Sequence, residues 1–296
     1  MPAAYKFIDQ LGGEIALART LIRLREIDGL GMPPVRHIEE QYAQQDGATY
    51  LATWLERRIV SLAFELTNDS ESDLWDAREA LEVLMKQFAP GFRLQATLPN
   101  GAVRQLHLRY LGEMTLPRTW NMGDARQVAV LQCVAHNPVW YDPTSVLWGY
   151  ALPAGLGDWA FPLGFPKGFG AAFIDIREIR NYVGTWKAYP VIALTGPVTD
   201  CVIENETTGD KLDFTGYNLA ATKTITIDLT PGVKTVTHST DGNIVDELTT
   251  DSDLGTWHIT AHPEALGGNN TIHVTGTAAT NETKIEIRFK TKYVGI

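Results

Sequence analysis

Cysteine is scarce in this chain: Cys133 and Cys201 are the two thiols in 296 residues. They stand far apart and form no C-x-x-C pair, which excludes a disulfide framework or a thiolate metal site. Both are expected as small buried hydrophobes. Long apolar runs are missing too. The apolar stretches are short and broken by Gly or Pro, and none reaches the roughly 20 residues of a spanning helix, so no membrane partner is expected. Residues 1–12 lack the apolar core of a secretory signal. The expectation is a protein made and kept in a cytoplasm until it is assembled into something larger. Positive charge is in deficit, with 25 Lys and Arg against 35 Asp and Glu and a formal net charge of −10. Nucleic acid needs a basic face to neutralise its phosphates, so it is not an expected partner.

Catalytic signatures are absent as well. The chain has no G-x-S-x-G and no Walker loop, and no pair of carboxylates stands out. Gly155-Leu156-Gly157 opens no helix after a strand, so it does not read as a nucleotide loop. His258 and His262 are spaced i, i+4 but lack the intervening Glu of a zinc helix and run into Pro263. Asp241-Gly242-Asn243 with Asp246, and Asp251-Ser252-Asp253, keep neither the order nor the closing Glu of a calcium loop, and turn chemistry accounts for them. Asn-x-Ser/Thr triplets such as those at Asn68, Asn205 and Asn281 follow from the threonine content. Trp257 and Tyr217 could stack a sugar, but Trp257 equally suits a core. The expectation is therefore no catalytic, cofactor-binding or metal residue, no cofactor, and no enzyme.

What is present is a globular balance of 44% apolar and 20% charged residues, at a length that suits two domains. Fourteen of 15 arginines precede Lys187, while 7 of 10 lysines lie from Lys187 onward, which marks two regions of different composition. In the first region Thr20–Ile27 reads as a strand, and Gly29, Gly31, Pro33 and Pro34 then break the chain. Val35–Gln44 and Ala48–Leu66 flank Asp46-Gly47, a strong hairpin signal. The second arm ends with Val60, Leu62, Phe64 and Leu66 alternating on one face. A helix over about 70–89 starts at Ser70 or Ser72, with Glu71, Asp73 and Asp76 in its first turn. Leu74, Leu81, Leu84, Met85 and Phe88 form its apolar stripe, and Pro90-Gly91 ends it. Strands resume at Phe92–Leu98, Val103–Leu111 after Asn100-Gly101, and Gln127–Ala135. This region, 1–145, is expected to be a β-sandwich with a single packed α-helix.

From 146 to 187, Trp148, Trp159, Phe161, Phe165 and Phe169 alternate with Gly and Pro, which reads as a connector that docks its aromatics, with one more strand at Phe173–Ile179. From 188 to 296 the composition shifts again. Threonine occurs 22 times from Tyr189 onward against 9 times before it. Short strands are expected at Val191–Thr195, Cys201–Asn205, Lys211–Phe214, Lys223–Asp228, Thr235–Thr237, Gly255–Ile259, Thr271–Thr275 and Thr283–Lys290. Turns at Gly196-Pro197, Pro231-Gly232 and Gly267-Gly268 help to separate them. Eight or so short strands without a helix make a jelly-roll-type sandwich, so the whole chain is mainly β, with two β-sandwich domains.

The order of these features resembles the distal tail proteins of long-tailed phages with flexible tails, the siphophages. In the first half the likeness rests on Gly29-Leu30-Gly31, the Gln45–Tyr50 hairpin, the lone helix and Leu106–Leu111. It also rests on Ala135-His-Asn-Pro-Val-Trp-Tyr-Asp-Pro143, similar to an Asp-Pro-x-Trp/Phe-Tyr signature, with Asn137 where the family usually has Asp. In the second half it rests on Tyr189-Pro190, Gly196-Pro197, Ile203–Gly209, the approach from Asp251 to Trp257, Gly268–Ile272 and the Tyr293–Ile296 end. The resemblance implies a ring-forming belt domain over 1–145 and a galectin-like domain over 188–296. It implies a homohexameric baseplate hub in the virion's tail tip, built in the host cytoplasm. The hub would join the tail tube protein to the tail-tip protein and to receptor-binding proteins. A long hairpin agrees with that implication, because strand edges paired around a ring cease to be a liability. The arms around Val35–Arg57 are therefore expected to cross between subunits. The alternative is a carbohydrate-binding or adhesin-like accessory tail protein.

Overall fold

The computed structural model describes residues 4–17, 22–44, 46–67, 70–86, 91–112, 114–116, 126–151 and 173–296. Two compact units emerge: 1–143 together with Tyr293–Ile296, and Thr144–Lys292.

In the first unit the alternation of Val60, Leu62, Phe64 and Leu66 sets the core. All four are buried, and the strand that carries them, Arg58–Thr67, lies between two others. On one side is Ile22–Asp28, with a bulge between Leu24 and Glu26. On the other is Arg126–Ala135, paired without a break from Arg58↔Ala135 to Thr67↔Arg126. Val103–Tyr110 joins this layer at its end, through Arg109↔Val134 and Tyr110↔Cys133. Along its length it pairs with Phe92–Thr97, which pairs in turn with Ala4–Ile8. A strand shared in this way turns one layer into the next, and the two inner faces meet. Phe7, Phe92, Leu94, Leu106 and Leu108 close on the Val60–Leu66 row with Trp140. Between Phe92–Thr97 and Val103–Tyr110, Asn100-Gly101 forms the expected turn, with Gly101 at φ +83°.

The helix Glu71–Leu84 begins where its cap predicts. Ser70 Oγ accepts from Asp73 N–H at 3.2 Å, and Glu71 and Asp73 face the positive end of the helix dipole. Leu74, Leu81 and Met85 enter the core. The helix stops at Leu84, with Met85 as its cap, short of the expected end near 89; Pro90 and the side chains of Leu84 and Phe88 lie outside the described residues.

The hairpin differs from expectation in one respect. The long second arm is two strands, Thr49–Leu55 and Arg58–Thr67, which belong to different sheets. The chain changes sheets at Glu56-Arg57, and directly after this point the Arg58 side chain is drawn inside, 1% exposed, among backbone carbonyls. The first arm is also shorter, Val35–Glu40.

The second unit packs two antiparallel sheets. One runs Gly242–Asn243, Thr235–His238, Thr224–Asp228, Val191–Thr195, Lys284–Tyr293. The other runs Ile174–Asn181, Asn269–Thr277, Val198–Asn205, Asp210–Asp213, with Asn218–Leu219 beside Val198–Thr199. Alternate residues meet between them, among them Ile192, Ile225, Ile287, Ile203 and Val274. The expected strand Gly255–Ile259 does not form. Trp257 N–H donates to Asp253 O at 2.9 Å in a turn, and Ile259 contributes one isolated bridge to Ala188. Helical structure here is limited, among the described residues, to the 3-10 turns Val245–Glu247 and Leu266–Gly268.

The stretch expected as a connector is not a body of its own where it is described. Trp148, Tyr150 and Ile174 lie in the second unit's core, and Ile174–Asn181 is a full strand of its sheet. Trp159, Phe161, Phe165 and Phe169 lie outside the described residues.

Leu62→Ala should therefore lower the first unit's unfolding free energy by about 2–5 kcal/mol, while Glu39→Ala on the hairpin should stay within about 0.5 kcal/mol. Denaturant titration of the full chain measures both.

Candidate assembly interface

The feature with the least internal support is the hairpin. Val35–Glu40 and Thr49–Leu55 form a two-stranded sheet of their own, and no third strand joins it among the described residues. Two strands alone in water are marginally stable, and each outer edge is open to a further strand. The register runs from Val35↔Leu55 to Glu40↔Thr49, with a bulge at Leu51 opposite Ile38 and Glu39. Tight turning at its tip falls to Gly47, at φ +82°, where only glycine is free of strain.

Period-two alternation divides the ribbon into two faces. Val35, His37, Thr53 and Leu55 share one, with the rings of His37 and Tyr50 6.1 Å apart. Arg36, Ile38, Ala52 and Trp54 share the other. Neither face is covered by the chain itself: Tyr50 is 61% exposed, Leu51 55% and Trp54 54%. Several polar contacts lie within the ribbon. His37 Nδ1 lies 2.7 Å from Thr53 Oγ1, and Tyr42 donates to Glu40 at 2.7 Å, a bond that holds the Tyr42 phenol above its usual pKa. A segment with apolar side chains on both faces, open edges and few contacts to its own body is a candidate interface.

Groups that chemistry could use are instead engaged in structure. Burial pushes both thiols up to about 12, so neither Cys133 nor Cys201 supplies a thiolate near neutral pH. A cleft of about 330 Å³ beside the Asp9–Gly13 turn and the helix residues Ala80 and Val83 carries two carboxylates. Asp9 accepts from Gly13 N–H at 2.6 Å and Glu14 pairs with Lys6 at 2.5 Å, so both serve the turn. In the second unit His258 Nδ1–H donates to Thr256 O at 2.7 Å, and burial lowers its pKa, while His262 is exposed. No group of three metal-ligating side chains occurs among the described residues.

Side chains of the acidic loops are tied to backbone, one within its own turn and two across to the strand Asp210–Asp213. Asp253 accepts from Lys211 N–H at 3.0 Å, Ser252 from Asp213 N–H at 3.0 Å, and Asn243 from Val245 N–H at 3.2 Å. Asn205 and Asn270 are fully buried and hydrogen-bonded, Asn205 to His258 O at 2.8 Å and Asn270 to Thr260 N–H at 2.9 Å. Trp257 is fully buried, and Tyr217 packs partly against the same core. Gly155–Gly157, and Asn68, lie outside the described residues. Sequence reasoning missed Arg58, for a charged residue two positions before Val60 shows nothing of the carbonyls that surround it.

No protein-family model matches the sequence. Minor tail protein Gp27 of Mycobacterium phage D29 is 24% identical over 117 residues, which are 38% of this chain and 35% of that protein. Gp27 of Mycobacterium phage L5 is 26% identical over the same shares. The match thus spans about a third of the length of these curated relatives. Among solved structures, the Dit protein (gp 19.1) of phage SPP1 aligns over 97% of this chain and 98% of its own, with a TM-score of 0.64 at 14% identity. It is described as a paradigm of the hub adsorption apparatus in phages infecting Gram-positive bacteria. The two chains share a fold, and it is the mainly β, distal-tail-protein fold that the motif order resembles.

A thiol reagent at pH 8 should find neither cysteine in the native protein and both after denaturation. Rapid labelling of the folded chain would contradict the burial described here.

Proposed function

We propose that this chain is a distal tail protein of a long-tailed phage, a structural hub and not an enzyme. In this reading its first unit assembles into a homohexameric ring at the tail tip. The ring joins the tail tube to the tail-tip protein and the receptor-binding proteins, and it is assembled in the host cytoplasm before it becomes part of the virion. The observation that carries the reading is the ribbon, whose two edges and two partly apolar faces are left open by its own chain. Closed rotational symmetry answers that need, since each copy can supply cover to the next and no edge is left at the end. Support comes from the fold shared with SPP1 Dit and from the local likeness to phage minor tail proteins. The number six rests on the resemblance.

The carbohydrate-binding alternative loses its main platform, because a sugar cannot stack on the fully buried Trp257. A net charge of −10 is consistent with a hub whose partners are proteins.

Light scattering and negative-stain microscopy test the reading together. The full chain should form rings, and the double variant Leu51→Asp, Trp54→Asp should stay monomeric at concentrations about 100-fold above the wild-type assembly range, since two carboxylates would have to be buried unpaired. Its circular dichroism should match the wild type. A full chain that remains monomeric at high concentration, or that binds an array of glycans without forming rings, would overturn the proposal.

A further inference from the structure

The ribbon leaves the body of the first unit at Gly29–Pro34 and returns at Glu56–Arg58, where Glu56 N–H donates to Pro34 O at 2.8 Å. Arg58 sits at this root. Its Nε donates to Pro138 O at 2.9 Å, one Nη to Gly29 O at 2.7 Å and Gly31 O at 2.5 Å, and the other Nη to Val294 O at 2.5 Å. All four acceptors are backbone carbonyls. A buried guanidinium is tolerated only when its donors are met, so losing any one acceptor is costly. Burial accordingly lowers its pKa to about 10.

The fourth acceptor comes from far along the chain. The segment Tyr293–Ile296 belongs to the first unit, and Val294 is 236 positions from Arg58. Arg104 holds the same segment from another side: its guanidinium lies 3.7 Å from the centre of the Tyr293 ring and donates to Gly295 O at 2.8 Å. Ile296 N–H donates to Leu30 O at 3.3 Å. A Cβ on Gly295 would come within 2.9 Å of Gly31 O, so the tail lies directly against the glycine segment from which the ribbon springs. Gly29, at φ +86°, has no room for a side chain either, because a Cβ there would meet Ile59 O. Two glycine backbones, one tail and one arginine are fitted together at a single point.

We infer that Tyr293–Ile296 is a clasp that fixes the direction of the ribbon at its root, so that the first unit's competence to assemble depends on this downstream segment. The inference rests on the ribbon being the assembling element. Arg58 is the positioning residue: it ties the outgoing leg (Gly29, Gly31), the Pro138 segment and the tail into one unit. Without the tail the ribbon keeps its own ladder but loses its fixed bearing.

Spin-label distances test this apart from assembly. The native thiols are buried, so labels address only introduced cysteines. One pair, Glu39→Cys with Gln132→Cys, spans ribbon and body; a control pair, Glu79→Cys with Gln132→Cys, lies within the body. Labelled chain diluted into an excess of unlabelled chain reports intrachain distances alone. Deletion of Val294–Ile296, and separately Gly295→Val, should broaden the ribbon–body distribution at least about twofold while the control stays narrow, and both variants should fail to form rings. Gly295→Val keeps the test open if the deletion does not fold. An unchanged ribbon–body distribution in the folded variants would overturn the clasp, as would equal broadening of the control or a distribution already broad in the full chain. If the full chain forms no rings, the assembly reading fails, and the distances still decide the clasp.

Discussion

A strand's backbone groups must be hydrogen-bonded, by protein or by water, and this obligation organises everything else in the first unit. Arg58–Thr67 meets it on both sides, against Ile22–Asp28 and Arg126–Ala135, and its alternate side chains can then fill a core. Among the described residues the two strands of the ribbon pair with each other and with no third strand. The same stretch of sequence therefore contains a segment that completes itself and, two residues earlier, a segment that does not. Arg58 marks the change. It is buried where the chain passes from one sheet to another, and its four carbonyl partners hold the crossing in place. In the proposed reading, the unfinished half is what ring assembly would complete.

Much of this was legible in sequence. The rows Val60–Leu66, Leu106–Leu108 and the threonine-rich strands after Tyr189 all obey period two, and burial follows that period closely. Ser70 and the acids after it mark the helix start by a local mechanism, and Asp46-Gly47 marks the hairpin by another. Gly29-Leu30-Gly31 was legible only as a break. Its reason is tertiary: the Ile59 carbonyl and the Gly295 backbone occupy the space that side chains would need.

What could not be read depends on partners distant along the chain. A run from Ala48 to Leu66 alternates well enough to pass for one strand, because periodicity describes faces and says nothing of which sheet a strand joins. Gly255–Ile259 has strand-like residues, yet Trp257 is reached through a turn tied to Asp253. Trp148 and Ile174 lie in a stretch whose Gly and Pro content suggested a connector, and both belong to a core. The Tyr293–Ile296 segment resembles a stretch of the distal tail proteins, and its attachment to Arg58 and Arg104 leaves no local trace. Among the polar residues in candidate sites, His258 is tied locally, to Thr256 O, whereas Asp253 accepts from Lys211 N–H and Asn205 donates to His258 O, partners that a local reading of the sequence does not show.

Hydrogen exchange followed as a function of protein concentration tests the central claim most directly. If another copy completes the ribbon, the outward amides of Val35–Glu40 and Thr49–Leu55 should exchange freely in dilute solution and become strongly protected as the protein associates, while those of Arg58–Thr67 stay protected throughout. Ribbon amides that exchange at one rate across the whole range, or that are already protected in the isolated chain, would contradict the account.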